Sequence, residues 1–158
     1  MLDVEQLRME LEKDEGRVDA IYLDHLGYPT LGIGHLVKKS DPEHGWEVDT
    51  PVHPDRVFEA FEKDVQGAIK QLDKIFPPGD ENDDLWQMPE EVQLILCNMC
   101  FNMGPTRLRK FKKMIAAINV RDWAEAANQM VDSRWYAQVP NRAGRLVSRM
   151  RALTGLYI

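Results

Sequence analysis

The chain has 158 residues, of which 44% are hydrophobic and 29% charged, so it is long enough for one soluble globular domain and too short for multidomain machinery. Its net charge is −6, with acids concentrated in residues 79–91, and this balance argues against a nucleic-acid partner. No apolar run reaches the roughly 18 residues of a membrane span, and the charged N-terminus lacks the pattern of a signal peptide, so we expect neither stable membrane association nor an export signal.

The N-terminal segment predicts an amphipathic helix over residues 3–14. Apolar residues such as Val4, Leu7 and Leu11 recur there at helical spacing, and Gly16 marks the stop. Glu15 is therefore expected at the C-terminal end of the helix. On position alone it is best explained as a solvated acid, because a negative charge is mildly unfavourable at that end of a helix.

Two short runs of β-prone residues follow the first helix. They are AIYLD, residues 20–24, and TLGIGHL, residues 30–36, and the HLGYP between them has the composition of a turn. The runs predict two strands of a small hairpin sheet. Residues 37–51 predict a loop, with room for one further edge strand.

Helical patterns dominate from residue 53 onward. Residues 53–76 carry apolar side chains along one face and predict a single long helix that ends before two prolines. Further helices are predicted over residues 89–102, 106–118, 122–131 and 142–153, with breaks at Gly104-Pro105, Asn119 and Pro140.

These elements predict an α+β fold. A small N-terminal lobe with a β-hairpin sheet takes residues of about 12–55, a connecting helix about 54–76, and an all-helical C-terminal lobe about 77–158. A cleft between two lobes is a common place for a ligand, so we expect one there.

Cys97 and Cys100 lie three apart in the apolar run of the 89–102 helix. Each is expected to be a small core residue of a disulfide-free, cytosolic protein. No His or Cys pair stands nearby at ligand spacing, so we predict no metal ligand.

The C-terminal part is locally basic in an otherwise acidic chain. Two interpretations of this basic face remain open: a solvated helix surface, or contact with an anionic polymer. Its arginines are Arg134, Arg142, Arg145, Arg149 and Arg151.

Glu15, Asp24 and Thr30 are the candidate catalytic residues. Separately each has an ordinary explanation; Asp24, for example, can hydrogen-bond its own turn. A hairpin that folds back toward the helix end brings the three together, and two carboxylates with a neighbouring hydroxyl suit glycosidic hydrolysis. One acid protonates the leaving oxygen, while the ionised one positions water or stabilises positive charge on the sugar. Gly32 and Gly34 would keep that face clear for a polymer.

A set of motifs extends this interpretation over most of residues 4–155. In chain order they are DEG, IYLD, GYPTLGIGHL, EKDV, NMCFNMG and SRWYAQVPNRAGR. Their order and spacing resemble those of the phage-type lysozymes, glycoside hydrolase family 24. The resemblance implies a single lysozyme-like domain over residues 1–158, in which helix 3–14 packs on the C-terminal lobe.

The resemblance also implies a reaction. It is the inverting hydrolysis of the β-1,4 bond between N-acetylmuramic acid and N-acetylglucosamine in bacterial peptidoglycan. By similarity Glu15 is the general acid, and Asp24 and Thr30 hold the water. Inversion requires carboxyl groups about 6.5 to 9.5 Å apart, so that a water fits between them and the sugar.

The remaining site residues are likewise implied by the resemblance. His35 is expected to pair with Asp64 and dock the hairpin on the long helix, a structural role. Gly34 supports the catalytic hairpin, and Arg142 matches an arginine near the catalytic glutamate. Saccharide contacts are expected at Leu36, Phe101, Asn102, Met114 and Gln129.

Some of these positions keep a second explanation. Phe101 is equally well explained as a core aromatic residue. Met114 and Gln129 stand where the family has a serine and an asparagine. Trp135 and Tyr136 are expected to pack the C-terminal lobe rather than touch sugar.

The resemblance implies a role in host-cell lysis, with the protein held in the host cytoplasm until a holin-type release gives it access to the wall. Two alternatives stay open: a non-catalytic peptidoglycan-binding module and a tail-associated lysozyme that acts at infection. A binding module has no need for Glu15, Asp24 and Thr30 together, which favours an enzyme. We expect peptidoglycan as the partner, a monomer, and no cofactor.

Overall fold

The computed structural model describes residues 2–77 and 84–157. Contacts between residues divide the chain into two units, one of Glu5–Gly67 and one of Met1–Val4 with Ala68–Ile158. The acid-rich run of residues 79–91 falls partly outside the described residues, which resume at residue 84. The packing of the first helix on the C-terminal lobe stays a prediction.

Helix α1, Val4–Glu15, confirms the first predicted helix and ends on the candidate acid. Leu7 and Leu11 are fully buried and anchor one face of the helix. The helix stops at Gly16, which has φ +73° and donates its N–H to the Glu12 carbonyl over 2.9 Å. A glycine in this left-handed conformation is a common helix terminator.

The hairpin sheet has three antiparallel strands in the order β1-β2-β3: β1 is Val18–Leu23, β2 is Pro29–Gly32 and β3 is His35–Leu36. The prediction of one strand over residues 30–36 was therefore wrong. Gly32 and Gly34 have φ of +62° and +66°, which turns the chain between β2 and β3. Only glycine adopts such angles without strain, so the two glycines mark a turn instead of a strand interior.

The turn between β1 and β2 is a three-residue hairpin loop. The Asp24 N–H donates to the Tyr28 carbonyl over 3.0 Å, and the Gly27 N–H donates to the Asp24 carbonyl over 2.9 Å. Gly27 takes φ +85°, as the last residue of such a loop usually does. The predicted turn is confirmed.

The loop after β3 returns to the sheet at a single point. Ala20 and Pro51 form one isolated antiparallel bridge, flanked by a 2.9 Å hydrogen bond from the Ile21 N–H to the Thr50 carbonyl. The further edge strand is reduced to this bridge, because Asp49 takes φ +70° and bends the chain away from extended geometry.

Helix α2, Pro54–Ile75, confirms the long predicted helix. Its buried face includes Val57, and the hairpin packs directly on that residue. A Cβ atom on Gly32 would lie 2.7 Å from Val57 Cγ1, so the close approach of the sheet to α2 requires glycine there.

The second unit is helical throughout the residues described. Its helices are α3 Glu90–Met103, α4 Pro105–Leu108, α5 Lys112–Asn119, α6 Trp123–Val131, α7 Arg134–Gln138 and α8 Pro140–Ala152, with short 3-10 helices at Leu85–Gln87 and Leu153–Tyr157. The helices predicted at 89–102 and 122–131 are confirmed. In the described part of the chain, every helix is too short or too polar to cross a bilayer.

The continuous helix predicted over residues 106–118 was wrong, because the chain breaks between α4 and α5. Leu108 and Met114 are both fully buried, although six residues at 100° each would point them about 120° apart on one straight helix. The break lets both side chains enter the core.

Two features near the C-terminus were also misjudged. Helix α7 was not predicted, although Ser133 caps it by accepting the Tyr136 N–H over 3.1 Å. Pro140 was predicted as a break, but it begins α8, where its missing N–H leaves no hydrogen bond unmade.

The core of the second unit confirms two side-chain predictions. Cys97 and Cys100 are buried thiols of α3, and burial raises the pKa of both, that of Cys100 to about 11. Trp135 is 3% exposed and packs edge-on against Phe111, with 6.5 Å between the ring centres.

Candidate active site

The turn between β2 and β3 lies against the carboxylate of Glu15. A Cβ atom on Gly34 would lie 2.6 Å from Glu15 Oε2 and 2.9 Å from its Cδ. Real Cβ atoms do not approach that closely, so only glycine fits. The hairpin therefore folds back to the helix end, as the sequence predicted, and leaves Glu15 partly exposed.

Asp24 is oriented by its own turn. Its Oδ1 accepts the backbone N–H groups of Leu26 and Tyr28, each over 2.9 Å. Among the described residues, no hydrogen bond reaches Oδ2. Asp24 therefore does hydrogen-bond its own turn, as its ordinary explanation holds. The same two bonds fix the direction of the carboxylate and leave Oδ2 available to a further partner.

Thr30 is 3% exposed, and its hydroxyl donates to the Tyr28 carbonyl over 2.9 Å. A hydroxyl has a single proton, so Thr30 Oγ1 is left as an acceptor toward any further partner.

The sheet register puts the candidate residues on one face. Thr30 is directly opposite Tyr22 in β1 and Leu36 in β3, and directly opposed residues share a face. Asp24 follows Tyr22 by two residues, so its side chain lies on the same face of the sheet. The opposite face consists of Ile21, Leu31 and His35, all of them buried.

Tyr22 is a site residue that the sequence reasoning missed. Burial raises its pKa, the charges of Glu15 and Asp24 raise it further, and a hydrogen bond with the Gly34 backbone lowers it. Its phenol is thus bonded to the turn that packs on Glu15, and it lies on the face of the sheet that bears Thr30. Strand alternation from Asp24 back to Tyr22 was the signal that could have found it.

His35 is held between two carboxylates. Its Nδ1 lies 2.6 Å from Asp64 Oδ2, which confirms the expected pair, and its Nε2 lies 2.8 Å from Asp41 Oδ2. Two acceptors on two ring nitrogens favour the doubly protonated imidazolium. Burial lowers the pKa of His35, but the hydrogen bonds and charges of Asp64 and Asp41 outweigh it and raise the pKa above 6.5.

A guanidinium extends this cluster toward the loop after β3. Arg56 of α2 donates to the buried carboxylate of Glu43 over distances of 2.8 to 3.1 Å and to Asp41 Oδ1 over 3.2 Å. Sequence reasoning found neither Asp41 nor Arg56, because no local pattern joins them. The cluster ties β3 and its loop to α2 on the side of the sheet opposite Thr30.

In the second unit, Phe101 and Asn102 are partly exposed near the end of α3. Asn102 Oδ1 accepts the indole N–H of Trp135 over 2.8 Å. Arg142 is 8% exposed, and its Nε donates to Asn98 Oδ1 over 2.8 Å. Arg142 is therefore an interior residue of α8, and the predicted basic face does not include it.

Met114 and Gln129 line one pocket of about 410 Å³, which also includes Lys110, Lys112 and Lys113. Met114 is fully buried and offers only apolar contact, whereas Gln129 donates to Glu125 over 2.7 Å. The lining thus contains three lysines and one acid, Asp132, in a chain of net charge −6. That these two residues bind saccharide stays a prediction.

The chain is similar to known proteins over most of its length. The family model for phage lysozyme matches residues 12–153. The chain is 34% identical to the pre-baseplate central spike protein Gp5 of Enterobacteria phage T4, over 92% of the chain and 27% of that protein. It is 30% identical to probable T4-type lysozyme 2 of Dictyostelium discoideum, over 92% of the chain and 93% of that protein. It is also 30% identical to peptidoglycan hydrolase gp36 of Pseudomonas phage phiKMV, and the matched region covers 15% of the length of that protein.

Proposed function

Because the chain belongs to the phage lysozyme family, its enzyme class is that of a lysozyme, and we propose that it hydrolyses the β-1,4 bond between N-acetylmuramic acid and N-acetylglucosamine with inversion. The observation that carries the proposal is the common face shared by Asp24 and Thr30, together with the Glu15 carboxylate packed on the adjoining turn. An inverting glycosidase needs such a pair of acids, one as the general acid and one as the base that activates water, and the hydroxyl helps to hold that water.

Glu15 acts as the general acid. Its carboxyl proton passes to the glycosidic oxygen as the bond to the anomeric carbon breaks, so that the leaving sugar departs as an alcohol. The absence of a side chain at Gly34 supports this role, because any Cβ there would displace the carboxyl group.

Asp24 and Thr30 hold the attacking water. The water donates one proton to Asp24 Oδ2 and the other to Thr30 Oγ1, whose own proton is already bound to the Tyr28 carbonyl. Both O–H bonds of the water are then engaged, and a lone pair is left for the anomeric carbon. As the new C–O bond forms, Asp24 accepts the water proton, and exchange with solvent restores both carboxyl groups.

Further residues are proposed as saccharide contacts. Leu36 is 46% exposed on the face that bears Thr30, where an apolar side chain suits the C–H surface of a sugar ring. In the second unit the proposed contacts remain Phe101, Asn102, Met114 and Gln129, with Arg142 in support. The proposal requires one copy of the chain and no cofactor.

The biological role that we propose is lysis of the bacterial host, with the protein reaching the wall from the cytoplasm after holin-type release. The match to 93% of the length of a probable T4-type lysozyme supports a lysozyme as the lytic enzyme. The match to 27% of a baseplate spike protein favours a second candidate, a lysozyme module that opens the wall at infection.

The test is the release of reducing ends from purified peptidoglycan by the wild type and by Glu15→Gln. Glu12→Gln is the matched control, because it makes the same change on the same helix at an exposed residue. We expect Glu15→Gln to lose activity by at least about a thousandfold and Glu12→Gln to retain it. Mass spectrometry should find N-acetylmuramic acid at the new reducing ends. Full activity in folded Glu15→Gln would overturn the proposal, and binding without cleavage by the wild type would favour the non-catalytic module.

A further inference from the structure

The backbone of Tyr28 connects the two residues proposed to hold water. Its N–H donates to Asp24 Oδ1 over 2.9 Å, and its carbonyl accepts the Thr30 hydroxyl over 2.9 Å and the Asp24 N–H over 3.0 Å. All three bonds use main-chain atoms. The side chain of Tyr28 takes part in none of them.

That side chain is 56% exposed, although tyrosine is an amphipathic residue that usually buries its ring. Tyr28 closes the hairpin loop opposite Asp24, immediately before β2, and it precedes Thr30 by two residues. Strand alternation therefore places its side chain on the face shared by Asp24 and Thr30.

Leu36 lies on the same face, on the neighbouring strand. It is directly opposite Thr30 in β3 and is 46% exposed. The buried Thr30 thus has two exposed side chains beside it on this face, Tyr28 along the chain and Leu36 across the strands. Two residues of extended chain span about 7 Å, so the ring of Tyr28 is a near neighbour of Thr30 on this face.

We infer that Tyr28 is a saccharide-binding residue. Its ring packs against the apolar face of a sugar that adjoins the scissile bond, beside Asp24 and Thr30. The inference rests on the proposed function. The ring supplies a flat apolar surface for the C–H bonds of a pyranose, and the phenol supplies a hydrogen bond to a sugar hydroxyl. Tyr28 sets affinity for the glycan and takes no part in proton transfer.

The contacts make the inference testable without disturbing the catalytic residues. Because Asp24 and Thr30 bind only the backbone of Tyr28, Tyr28→Ala removes the ring and leaves their positions intact. Tyr28→Phe restores the ring. Leu23→Ala is the matched control, because Leu23 is 52% exposed on the same hairpin but pairs with Pro29 on the opposite face.

The experiment measures kcat and KM on soluble peptidoglycan fragments for the wild type and the three variants. We expect Tyr28→Ala to raise KM about tenfold with kcat within about twofold, because the ring binds ground state and transition state alike. Tyr28→Phe should bring KM back to within about threefold, and Leu23→Ala should leave it unchanged. A KM for Tyr28→Ala equal to that of Leu23→Ala would overturn the inference, and so would a loss confined to kcat.

A second measurement separates this inference from the proposed function. Sedimentation with insoluble peptidoglycan, performed in the Glu15→Gln background, reports binding without turnover. If the wild type cuts no glycan but binding still weakens about tenfold in Tyr28→Ala, the hydrolase proposal fails and the saccharide site stands. If the wild type cuts glycan and binding does not depend on Tyr28, the inference alone fails. A wild type that neither cuts nor binds contradicts both.

Discussion

The main chain of Gly34 lies so close to the carboxylate of Glu15 that a Cβ atom at residue 34 would stand 2.6 Å from Oε2. This contact joins the turn between β2 and β3 to the end of α1. The backbone of Gly34 also forms a hydrogen bond with the phenol of Tyr22. The position of the proposed acid therefore depends on a residue with no side chain.

Gly34→Ala should remove activity and also destabilise the fold. Its φ of +66° strains any L residue by about 1 to 2 kcal/mol, and the new methyl group must push the Glu15 carboxyl aside. We expect kcat to fall by at least about a hundredfold, because small displacements of a catalytic group have large effects. Gly45→Ala is the control, since its φ is +85° with no atom within 4 Å of a Cβ there. It should lose similar stability but keep kcat, and an equal loss of kcat in both would contradict the account.

Thr30→Val should separate the hydroxyl from the shape of the side chain. The Tyr28 carbonyl keeps its bond from the Asp24 N–H, so we expect a stability change below about 1 kcal/mol. The lost acceptor for water should lower kcat about a hundredfold. Thr50→Val provides the comparison, because Thr50 also donates to a backbone carbonyl, that of Glu47 over 2.6 Å. Normal kcat in Thr30→Val, measured by reducing-end release, would remove Thr30 from the mechanism.

Tyr22→Phe should loosen the turn on which Glu15 rests. The substitution deletes the hydroxyl that meets the Gly34 backbone and keeps the ring opposite Thr30. We expect kcat to fall about tenfold with KM unchanged, and the free energy of unfolding to fall by about 1 kcal/mol. Tyr136→Phe on α7 should change neither quantity. A rise in KM alone would show that Tyr22 binds sugar instead of positioning the acid.

The carboxylates around His35 predict a pH window of stability. The raised pKa of His35 means that its stabilisation is complete below the unfolded value of 6.5 and is lost as pH rises through the folded pKa. Burial raises the pKa of Asp41, but the Lys38 N–H, His35 and Arg56 outweigh it and lower the pKa below 3.8. Its stabilisation is present above pH 3.8 and is lost as pH falls through the folded pKa. Both contributions are present between these two unfolded values.

His35→Gln should therefore be destabilised by a pH-dependent amount. We expect a loss of about 2 kcal/mol near pH 5.5, because a charge-assisted contact to two carboxylates is removed. The difference from wild type should be smaller at about pH 9, because the stabilisation is lost as pH rises through the raised pKa of His35. Urea denaturation at both pH values measures it, with the exposed His44→Gln as control. A difference that grows with pH would show that His35 is neutral in the folded protein.

Local patterns were sufficient for much of the fold. Helical spacing of apolar residues predicted α1, α2 and α6, and Gly16 predicted the end of α1. The motif resemblance also predicted the pair of His35 with Asp64, which the structure contains. That Glu15, Asp24 and Thr30 are catalytic stays a prediction; they could be singled out together because they lie within one short stretch of chain.

The errors arose where tertiary packing decides the outcome. The division of β2 from β3 follows from the contacts of Gly32 with Val57 and of Gly34 with Glu15, which no local pattern shows. The break between α4 and α5 depends on the burial of Leu108 and Met114. The contact of Asp41 with His35 was not predicted for a similar reason, since it depends on the path of the loop after β3.

The most direct test of the central claim follows the anomeric configuration of the first product. Displacement by a water held on Asp24 and Thr30, opposite the acid Glu15, converts the β bond into an α-anomer in a single step. Proton NMR during the first minutes of hydrolysis, before mutarotation, should therefore show the α-anomer of the new reducing end in excess. An initial excess of the β-anomer would mean retention through a covalent or equivalent intermediate, and it would contradict the assignment of Asp24 and Thr30 to water.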